Sequence, residues 1–583
     1  MILQALCRYY DALAERGKIS PRGWCDAKVS FALVIGADGA LNGTIPLKYI
    51  PAGAKKEAPQ ILSVPMQEKK ASGVCANFLC DNSSYFLGVD NKGKPDRTIQ
   101  CFSAARAKHE EILATADSPA ARAILAFFAH WQPESAAAHP ALLEYLEEIK
   151  AGANLIFSVG GVYAQKDPAI RAAWQSHCTE RTTGSAVSRC LVTGETGPIA
   201  RLHPLIKGVR DAQSSGASLV SFNANAFESY GHEMADNTGQ GFNAPVSEAS
   251  AFAYATALNQ LLADREHTQF IGDTTIVCWA EDGEPLCQDL FCGTLYGGAS
   301  DRITSEDLWS AVESLARGNP VSVQHIPIQP SNHFYVLGLA PSAARLSVRF
   351  FLQDTLGGML RHVQAHYDRL QIVKPSYLEH GALPLWKLLN ETVNQKSRDK
   401  KASPPMTGAV VRAILTGGPY PVSLLEQAMV RIRAEQNVTY GRAAILKAFF
   451  TQNTYFYIPE EVLTVELNDQ STYLPYVLGR LFAVLERVQA AANPDINTTI
   501  KDKYFNSASA TPATIFPLLT KLSQSHLRKL SGNLRGDFEK QIGKLENLIH
   551  ESLPSRLSLP EQGAFHLGYY HQRFHKSNIK EDI

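Results

Sequence analysis

The sequence lacks most of the features that would assign a chain to a membrane or to a secreted scaffold. Its 56 basic residues balance its 56 acidic residues, so overall charge gives no reason to expect a polyanionic partner. It contains neither an apolar run of about 18 residues nor a basic leader with an apolar core. Ten cysteines over 583 residues do not form a dense disulfide framework. We therefore expect reduced thiols, a cytoplasmic protein and no membrane partner.

Signatures of several enzyme classes are also missing. The segment TGETG at 193–197 lacks the lysine and hydroxyl residue of a phosphate-binding loop, which favours a plain turn. For a base deaminase, Glu233 follows His232 too closely, and Cys287 and Cys292 are too far apart. The sequence contains no G-x-S-x-G elbow and no H-E-x-x-H helix. We predict that the chain is not an enzyme and uses no cofactor.

Two kinds of metal site stay open as alternatives. Cysteines and histidines could nominally supply zinc ligands, although the paired C-x2-C knuckles of a zinc ribbon are missing; these are Cys75, Cys80, Cys101, His177, Cys178, Cys190 and His203. Carboxylates with loose spacing could converge on magnesium in a nuclease that cuts DNA or RNA; these are Asp81, Asp90, Asp273 and Asp282. A metal-dependent nuclease is therefore the alternative to a binding protein.

The pattern of strands and helices predicts an α+β fold. The stretch KVSFALVIGADGALNG alternates apolar residues and then offers a hairpin turn. Similar strand patterns occur in SYFLGVD, SLVSFNAN, TTIVCWAED and the pair FYVLGLAPSAARLSVRFFLQD, and a helix is expected between 245 and 264. Strands and helices do not alternate regularly, which argues against a doubly wound sheet.

The second part of the chain has the pattern of a helical protein. KSRDKKASPP, at 396–405, is basic and ends in prolines, as an exposed connector does. Three apolar stripes at helical spacing then predict a small antiparallel bundle; they include Val477, Leu481, Leu485, Val488, Leu519, Leu522, Leu530, Phe538, Ile542, Leu545 and Ile549. We predict α+β regions at 1–210 and 211–395, a helical connector region at 406–466 and a C-terminal bundle at 467–583.

Basic residues that could bind phosphate occur in two places. In RLSVRFF, strand alternation would put Leu346, Val348 and Phe350 on one face and send Arg345 and Arg349 out of the other. Forked guanidinium donors suit phosphate oxygens, although a solvated sheet face would look the same. Between 166 and 211, seven basic residues outnumber four acidic ones, and the candidates there are Arg201, Lys207 and Arg210.

The segment SFNANAFESYGHE is unusually rich in amides. On a strand, Ser221, Asn223 and Asn225 would lie side by side on one face. Asparagine both donates and accepts hydrogen bonds, so such a row can contact base edges or sugars without net charge. A hydrogen-bonded core network is the alternative interpretation.

Several long segments, in order, resemble one family. They are KKASGVCANFLCDNSSYFLGVD, CLVTGETGPIARLHPLIKGV, SSGASLVSFNANAFESYGHE, TTIVCWAED, NHFYVLGLAPSAARLSVRFFLQDTLG and GRLFAVLERVQ. Together they resemble the large subunit of the subtype I-C CRISPR Cascade complex, and the similarity covers essentially the whole chain. The resemblance implies a non-enzymatic subunit that binds the 5′ end of the crRNA, recognises the protospacer-adjacent motif in duplex DNA and helps R-loop formation.

The same resemblance implies partners. It implies crRNA, double-stranded target DNA and its displaced strand, the backbone, guide-processing and small Cascade subunits, and a separate helicase-nuclease that cuts the DNA. Base pairing would read the target sequence while protein reads the short motif. The polar window before and within the first motif then becomes a candidate for binding the DNA motif or the guide RNA; its residues are Lys69, Lys70, Ser72, Asn77, Asn82 and Ser83.

The C-terminal part resembles the helical small subunit of such complexes, which in this subtype can also be made separately. From Lys501 onward, the sequence contains twelve basic residues and eight acidic ones. On a bundle, this excess can gather on one face and contact a nucleic-acid backbone. The candidates for these backbone contacts are Lys521, Arg528, Lys529 and Arg535. A solvated bundle that only docks on the complex is the alternative.

Overall fold

The computed structural model describes residues 1–50, 57–67, 73–180, 186–222, 225–227, 229, 232, 240–297, 303–378, 383–398, 401–494, 496 and 498–575. About 49% of the chain is helix and 16% is strand. Strands lie in the N-terminal and middle regions and helices towards the C-terminus, which confirms the predicted α+β class. Two compact units emerge, one formed by 3–204 with 221–257 and the other by 205–220 with the chain from Leu258 onward.

The elements of the first part of the chain are short strands between helices. In chain order they are α1 (Ile2–Glu15), β1 (Trp24–Val29), β2 (Phe31–Ile35), β3 (Leu41–Pro46), β4 (Lys48–Tyr49), β5 (Ala58–Pro65), β6 (Cys80–Asn82), α2 (Ser83–Phe86), α3 (Pro95–Leu113), α4 (Pro119–His130), α5 (Leu146–Lys150), β7 (Asn154–Val159), β8 (Val162–Tyr163), α6 (Pro168–Glu180), β9 (Val187–Arg189), β10 (Thr196–Pro198) and α7 (Glu248–Ala263).

The remaining described elements are three β-hairpins and a series of helices. They are β11 (Gln269–Ile271), β12 (Thr274–Ala280), α8 (Pro285–Tyr296), α9 (Ser305–Ala316), β13 (Val321–Val323), β14 (Ile326–Ile328), β15 (His333–Ser342), β16 (Arg345–Thr355), α10 (Leu356–Leu370), α11 (Leu385–Asn390), α12 (Pro404–Thr416), α13 (Val422–Glu435), α14 (Tyr440–Gln452), α15 (Leu474–Ala492), α16 (Ile500–Ala510), α17 (Pro512–Leu527), α18 (Gly532–Glu546) and α19 (Leu559–Phe574).

The first unit is organised around a five-stranded sheet. Its strand order is β3-β2-β7-β6, with β8 paired to β7. The predicted hairpin is the antiparallel β2–β3 pair, and β2 also runs parallel to β7. Phe31 and Leu33 are fully buried. A second, three-stranded sheet has the order β1-β5-β4.

The second unit combines an antiparallel sheet with packed helices. The sheet order is β11-β12-β15-β16, and its central strand β12 is buried along its whole length. A single hydrophobic core runs from this sheet through α10, α14, α15 and α19. The hydroxyl of Tyr570, in α19, donates to the carbonyl of Val373 at 2.8 Å. The helices after residue 467 therefore share their core with the helices before it.

Helices α15 and α19 cross so closely that side chains are excluded at two positions. A Cβ atom on Gly479 would lie 2.0 Å from the carbonyl oxygen of Phe565, and one on Gly568 would lie 2.1 Å from that of Tyr476. Glycine is required there because it lets the two backbones approach. Among the described residues, none of the helices combines the length and apolar character that crossing a bilayer requires.

Two predicted strands are wrong where the structure describes them. SYFLGVD begins as α2, because the side chain of Asn82 caps this short helix by accepting a hydrogen bond from the backbone N–H of Ser84. In SLVSFNAN, Ser218 forms an isolated bridge to Arg345. Residues Asn225–Phe227 then form a 3₁₀ turn rather than a strand. Short polar segments of this kind follow local capping and turn chemistry more than their alternation.

Candidate nucleic-acid interface

The loop from Gly73 to Asp81 is anchored to α3 by basic side chains. Arg97 donates to the carbonyl of Gly73 at 3.2 Å. Lys108 donates to the carbonyl of Ala76 at 2.9 Å. Each bond joins residues that are more than 20 positions apart, so α3 defines the path of this loop.

A buried carboxylate organises the end of this loop. Asp81 is 2% exposed and accepts hydrogen bonds from the backbone N–H groups of Asn77 and Asn82, both at 2.8 Å. The side chains of Asn77 and Ser83 are themselves 5% and 1% exposed. Of the predicted recognition residues in this segment, these two lie inside the protein and Asn82 caps a helix. These residues therefore stabilise the conformation of the loop, and Asn77 and Ser83 are not available on its surface.

A buried histidine fixes the middle of the loop. Nε2 of His109 accepts a hydrogen bond from the backbone N–H of Leu79 at 3.1 Å, and its Nδ1 donates to the carbonyl of Ala105 at 2.7 Å. Phe128 packs against the imidazole with ring centroids 4.6 Å apart. Burial lowers the pKa of His109 to about 4. The ring is therefore neutral at pH 7 and acts as a fixed acceptor for the loop.

The remaining predicted residues of this segment, Lys69, Lys70 and Ser72, lie outside the described residues. The chain on each side of them is attached to the same loop. Gln67 donates to the carbonyl of Cys80 at 3.3 Å, and Gly73 is bonded to Arg97.

The second polar segment is tied to a basic residue of the first unit. Gln240, which is 6% exposed, donates to the carbonyl of Phe222 at 3.1 Å and accepts from Arg201 at 2.7 Å. Ser221 is half-buried, and Asn223 lies outside the described residues. Gln240 thus connects Arg201 to the segment that follows Ser221, a link that strand alternation does not predict.

The predicted phosphate ligands Lys207 and Arg210 lie in the second unit with exposed side chains. Their backbone is held rigidly, because the N–H of Lys207 donates to Asn259 at 2.7 Å and that of Arg210 to Thr275 at 3.0 Å. The guanidinium of Arg210 lies 5.7 Å from the centre of the Phe270 ring. Both cations therefore extend from a fixed backbone.

A β-bulge interrupts the β15–β16 hairpin at the other predicted phosphate ligands. Leu339 pairs with Val348, but Gly338 pairs with Phe350, so Arg349 is the extra residue. Because side chains alternate along a strand, this shift puts Val348 and Phe350 on opposite faces. They are 40% and 3% exposed. The regular alternation on which the predicted common direction of the two arginines depends is therefore interrupted between them.

The two arginines also have different surroundings. Arg349 is exposed and forms an ion pair with Asp273 at 2.7 Å. Arg345 is half-buried and lies at the edge where Ser218 pairs with β16. A phosphate would have to compete with a carboxylate for Arg349. Sequence spacing gives no sign of this pair, because its members are 76 positions apart.

The basic residues predicted to bind a nucleic-acid backbone lie in or next to α17 and α18. Lys521, Arg528, Lys529 and Arg535 are all exposed. Lys529 donates to the side chain of Asn493 at 2.8 Å, and Arg535 pairs with Glu539 one turn away, also at 2.8 Å. In the described part of the chain, the charged groups of Lys521 and Arg528 form no ion pair. These two exposed cations could therefore bind the phosphates of a nucleic-acid backbone.

The carboxylates considered for a nuclease have local partners. Asp81 supports its loop, Asp273 pairs with Arg349, and Asp90 and Asp282 accept hydrogen bonds from backbone N–H groups two positions ahead in turns. Across the described residues, no group of three or more histidines, cysteines or carboxylates is arranged to hold a metal ion. The first three residues of TGETG lie in the turn between β9 and β10, and Thr196 and Gly197 begin β10, which agrees with the predicted plain turn.

A family model for a CRISPR-associated protein (Cas_Csd1) matches residues 6–576. The chain belongs to this family. Comparison with curated protein sequences gave no significant match. Family membership makes the chain a CRISPR-associated protein, which agrees with the resemblance carried by its ordered motifs.

Two cavities of this CRISPR-associated protein contain residues that sequence reasoning missed. One, of about 1040 Å³, is lined by Arg412 and Tyr455 among others, and Tyr455 is fully exposed. The other, of about 870 Å³, is lined by Lys374 and Lys387. Their lining residues come from separate helices and connections, so no local motif marks them.

Proposed function

We propose that this chain is the large subunit of a type I-C Cascade surveillance complex. In this role it binds the 5′ end of the crRNA, recognises the protospacer-adjacent motif in duplex DNA, helps R-loop formation and recruits a separate helicase-nuclease. The family match over residues 6–576 carries the proposal. The order of the motifs along the chain supports the finer assignment to this subtype.

The proposed recognition site is the anchored loop and its neighbouring segments. The loop at 73–81 supplies a rigid platform, since α3 and Asp81 hold its backbone. A platform of this kind suits motif recognition, because contacts to bases require fixed geometry. We assign direct contacts to the segment containing Lys69, Lys70 and Ser72 and to the segment from Ser221 to Asn225. Asn77, Asn82 and Ser83 would act by positioning the loop.

Phosphate contacts are proposed on both units. Arg201, on the first unit, and Lys207, Arg210, Arg345 and Arg349, on the second, would bind nucleic-acid backbone. The surface of α17 and α18 would contact the guide–target hybrid or the displaced strand. Such contacts position a protein on nucleic acid without reading sequence.

We further propose that the chain itself does not cut nucleic acid. The support is that the carboxylates considered for magnesium are engaged in turns, in the loop at 73–81 and in one ion pair. Cleavage would belong to the helicase-nuclease partner. Purified alone with magnesium, manganese or zinc, the chain should leave DNA and RNA intact. Cleavage that disappears in Asp81→Ala or Asp273→Ala protein would favour the nuclease alternative.

The decisive experiment is co-purification of the tagged chain with the products of neighbouring genes, followed by sequencing of bound RNA and measurement of target binding. Bound crRNA and a preference for duplexes with one motif would support the proposal. In the assembled complex, Asn225→Ala should weaken binding to matched targets by about 1–3 kcal/mol if a base contact is lost. An equal loss for mutated motifs would indicate backbone binding instead. A complex that forms and binds targets equally well without this chain would refute the assignment.

A further inference from the structure

The cavity of about 870 Å³ in the second unit has an unusual set of charges. Four basic residues and two acidic ones line it. The basic residues are Lys374, Lys387, Arg442 and Arg573, and the acidic ones are Glu391 and Glu435. Among the described lining residues, the cations therefore outnumber the carboxylates by two.

Both carboxylates pair with Arg442, and Glu435 also lies 3.8 Å from Arg431. Arg442 is buried, and its guanidinium lies 3.5 Å from Glu391 and 2.6 Å from Glu435. Glu391 also accepts a hydrogen bond from Thr439 at 2.7 Å. This network neutralises Arg442. Among the described residues, the other three cations of the cavity form no ion pair with Glu391 or Glu435.

Two of the remaining cations repel each other. Burial and the neighbouring ammonium of Lys387 lower the pKa of Lys374. Lys387 is exposed and has no carboxylate partner among the described residues. A pair of like charges beside a cavity is unfavourable when the cavity contains only water, and an anion bound between them would remove the repulsion. The charge arrangement therefore favours an anionic ligand.

The rest of the lining suits a nucleotide. Tyr377 lies at the cavity with 76% of its surface exposed, which leaves its ring available for stacking. The amides of Asn390, Gln395 and Asn437 offer donors and acceptors for a base or sugar. The volume lies within the range of about 300–1,000 Å³ that is usual for small-molecule sites.

We propose that this cavity binds a phosphate-bearing nucleotide, with Lys374, Lys387 and Arg573 around the phosphate and Tyr377 against the base. The ligand can come from a free nucleotide or from a nucleic-acid strand, because both present the same chemistry. The site is separate from the loop at 73–81, and it does not rest on the assignment to a surveillance complex.

The test is calorimetric titration of the purified full-length chain with ATP, with adenosine and with a ten-nucleotide single-stranded DNA, in a buffer without divalent metal. ATP or the oligonucleotide should bind at least about tenfold more tightly than adenosine, because charge-assisted hydrogen bonds to phosphate are strong. Binding of ATP identifies a free nucleotide as the source. Binding of the oligonucleotide without ATP identifies a strand.

Variants decide whether this cavity is the site. Lys387→Glu should weaken binding of the tighter probe about tenfold or more and leave the melting temperature unchanged, because the side chain is exposed; Lys387→Arg should restore binding. Lys18→Glu, at an exposed position of the first unit, is the matched control and should have much less effect. Equal binding of ATP and adenosine in the absence of oligonucleotide binding, equal effects of the two Lys→Glu variants, or no binding of any probe would overturn the proposal.

Discussion

The loop at 73–81 and the surface of α17 and α18 use polar residues in opposite ways. In the loop, polar side chains are buried and bonded to the protein's own backbone, as with Asp81 and His109. On the helical surface, the basic side chains are exposed, and Lys521 and Arg528 face solvent. Polar composition alone therefore does not distinguish a recognition surface from its internal support.

This difference separates two kinds of contribution to nucleic-acid binding. Residues that support a rigid loop contribute through its geometry, so their loss should first affect stability. Exposed cations contribute through long-range attraction and counterion release, so their loss should affect salt dependence and leave stability unchanged. Four substitutions and conditions test this division, from the largest expected effect to the smallest.

Removal of the Asp81 carboxylate should give the largest effect. Asp81→Ala leaves the buried N–H groups of Asn77 and Asn82 without their acceptor, and each unsatisfied donor costs about 1–3 kcal/mol. We expect the opening free energy of the loop, measured by hydrogen exchange, to fall by about 2–4 kcal/mol. Asp117→Ala is the control, because that side chain is 95% exposed. Similar exchange in both variants would show that Asp81 does not organise the loop.

Acidification should weaken the same loop through His109. The unfolded histidine titrates near pH 6.5 and the folded one near pH 4, so between these values the unfolded state binds more protons. The contribution of neutral His109 to the free energy of unfolding is fully present above about pH 6.5 and is lost as the pH falls towards 4. We expect a loss of about 2 kcal/mol between pH 7 and pH 5.

The measurement for His109 is hydrogen exchange of the loop amides, corrected for the intrinsic effect of pH. His109→Gln should remove this dependence, since glutamine does not titrate. Amides of α18, which contains no histidine, are the internal reference. A loop that loses stability equally in the wild-type and His109→Gln proteins would assign the acid sensitivity to other groups.

Exposed cations of α17 and its C-terminal end should behave differently. Lys521→Ala or Arg528→Ala should change stability by less than about 0.5 kcal/mol. Each should reduce the slope of log affinity for nucleic acid against log salt by about one unit in the assembled complex. Lys18→Ala, at an exposed position of the first unit, should leave the slope unchanged. An unaltered slope in all three variants would make the helical surface a solvated face.

The ion pair on β16 should have the smallest effect on nucleic-acid binding and tests an intermediate case. Arg349→Ala and Asp273→Ala should each lower stability by no more than about 1 kcal/mol, as expected for an exposed pair. If Arg349 also binds phosphate, Asp273→Ala should strengthen nucleic-acid binding while Arg349→Ala weakens it. Equal small losses of stability with unchanged binding in both variants would make the pair purely structural.

Local patterns in the sequence were sufficient to predict the α+β class and the helical C-terminal part. Val477, Leu481, Leu485 and Val488 are at most 3% exposed in α15, and helical spacing puts them on one face. The β2–β3 hairpin and the TGETG turn likewise follow from short-range chemistry. Lys521 lies two positions after the buried Leu519 of α17, so its exposure could also be predicted from periodicity.

Only the tertiary structure decided which polar residues are available to a partner. Asn77 and Ser83 are buried in and next to a loop that hydrogen bonds from Lys108 and to Asp81 hold, and Arg349 is paired with Asp273 in the turn between β11 and β12. The bulge at Arg349 arises from the pairing of β15 with β16, and the cavity at Lys374 collects residues from separate helices. These features depend on contacts between positions that are distant in the sequence. The spacing of residues along the chain does not determine the geometry of such contacts.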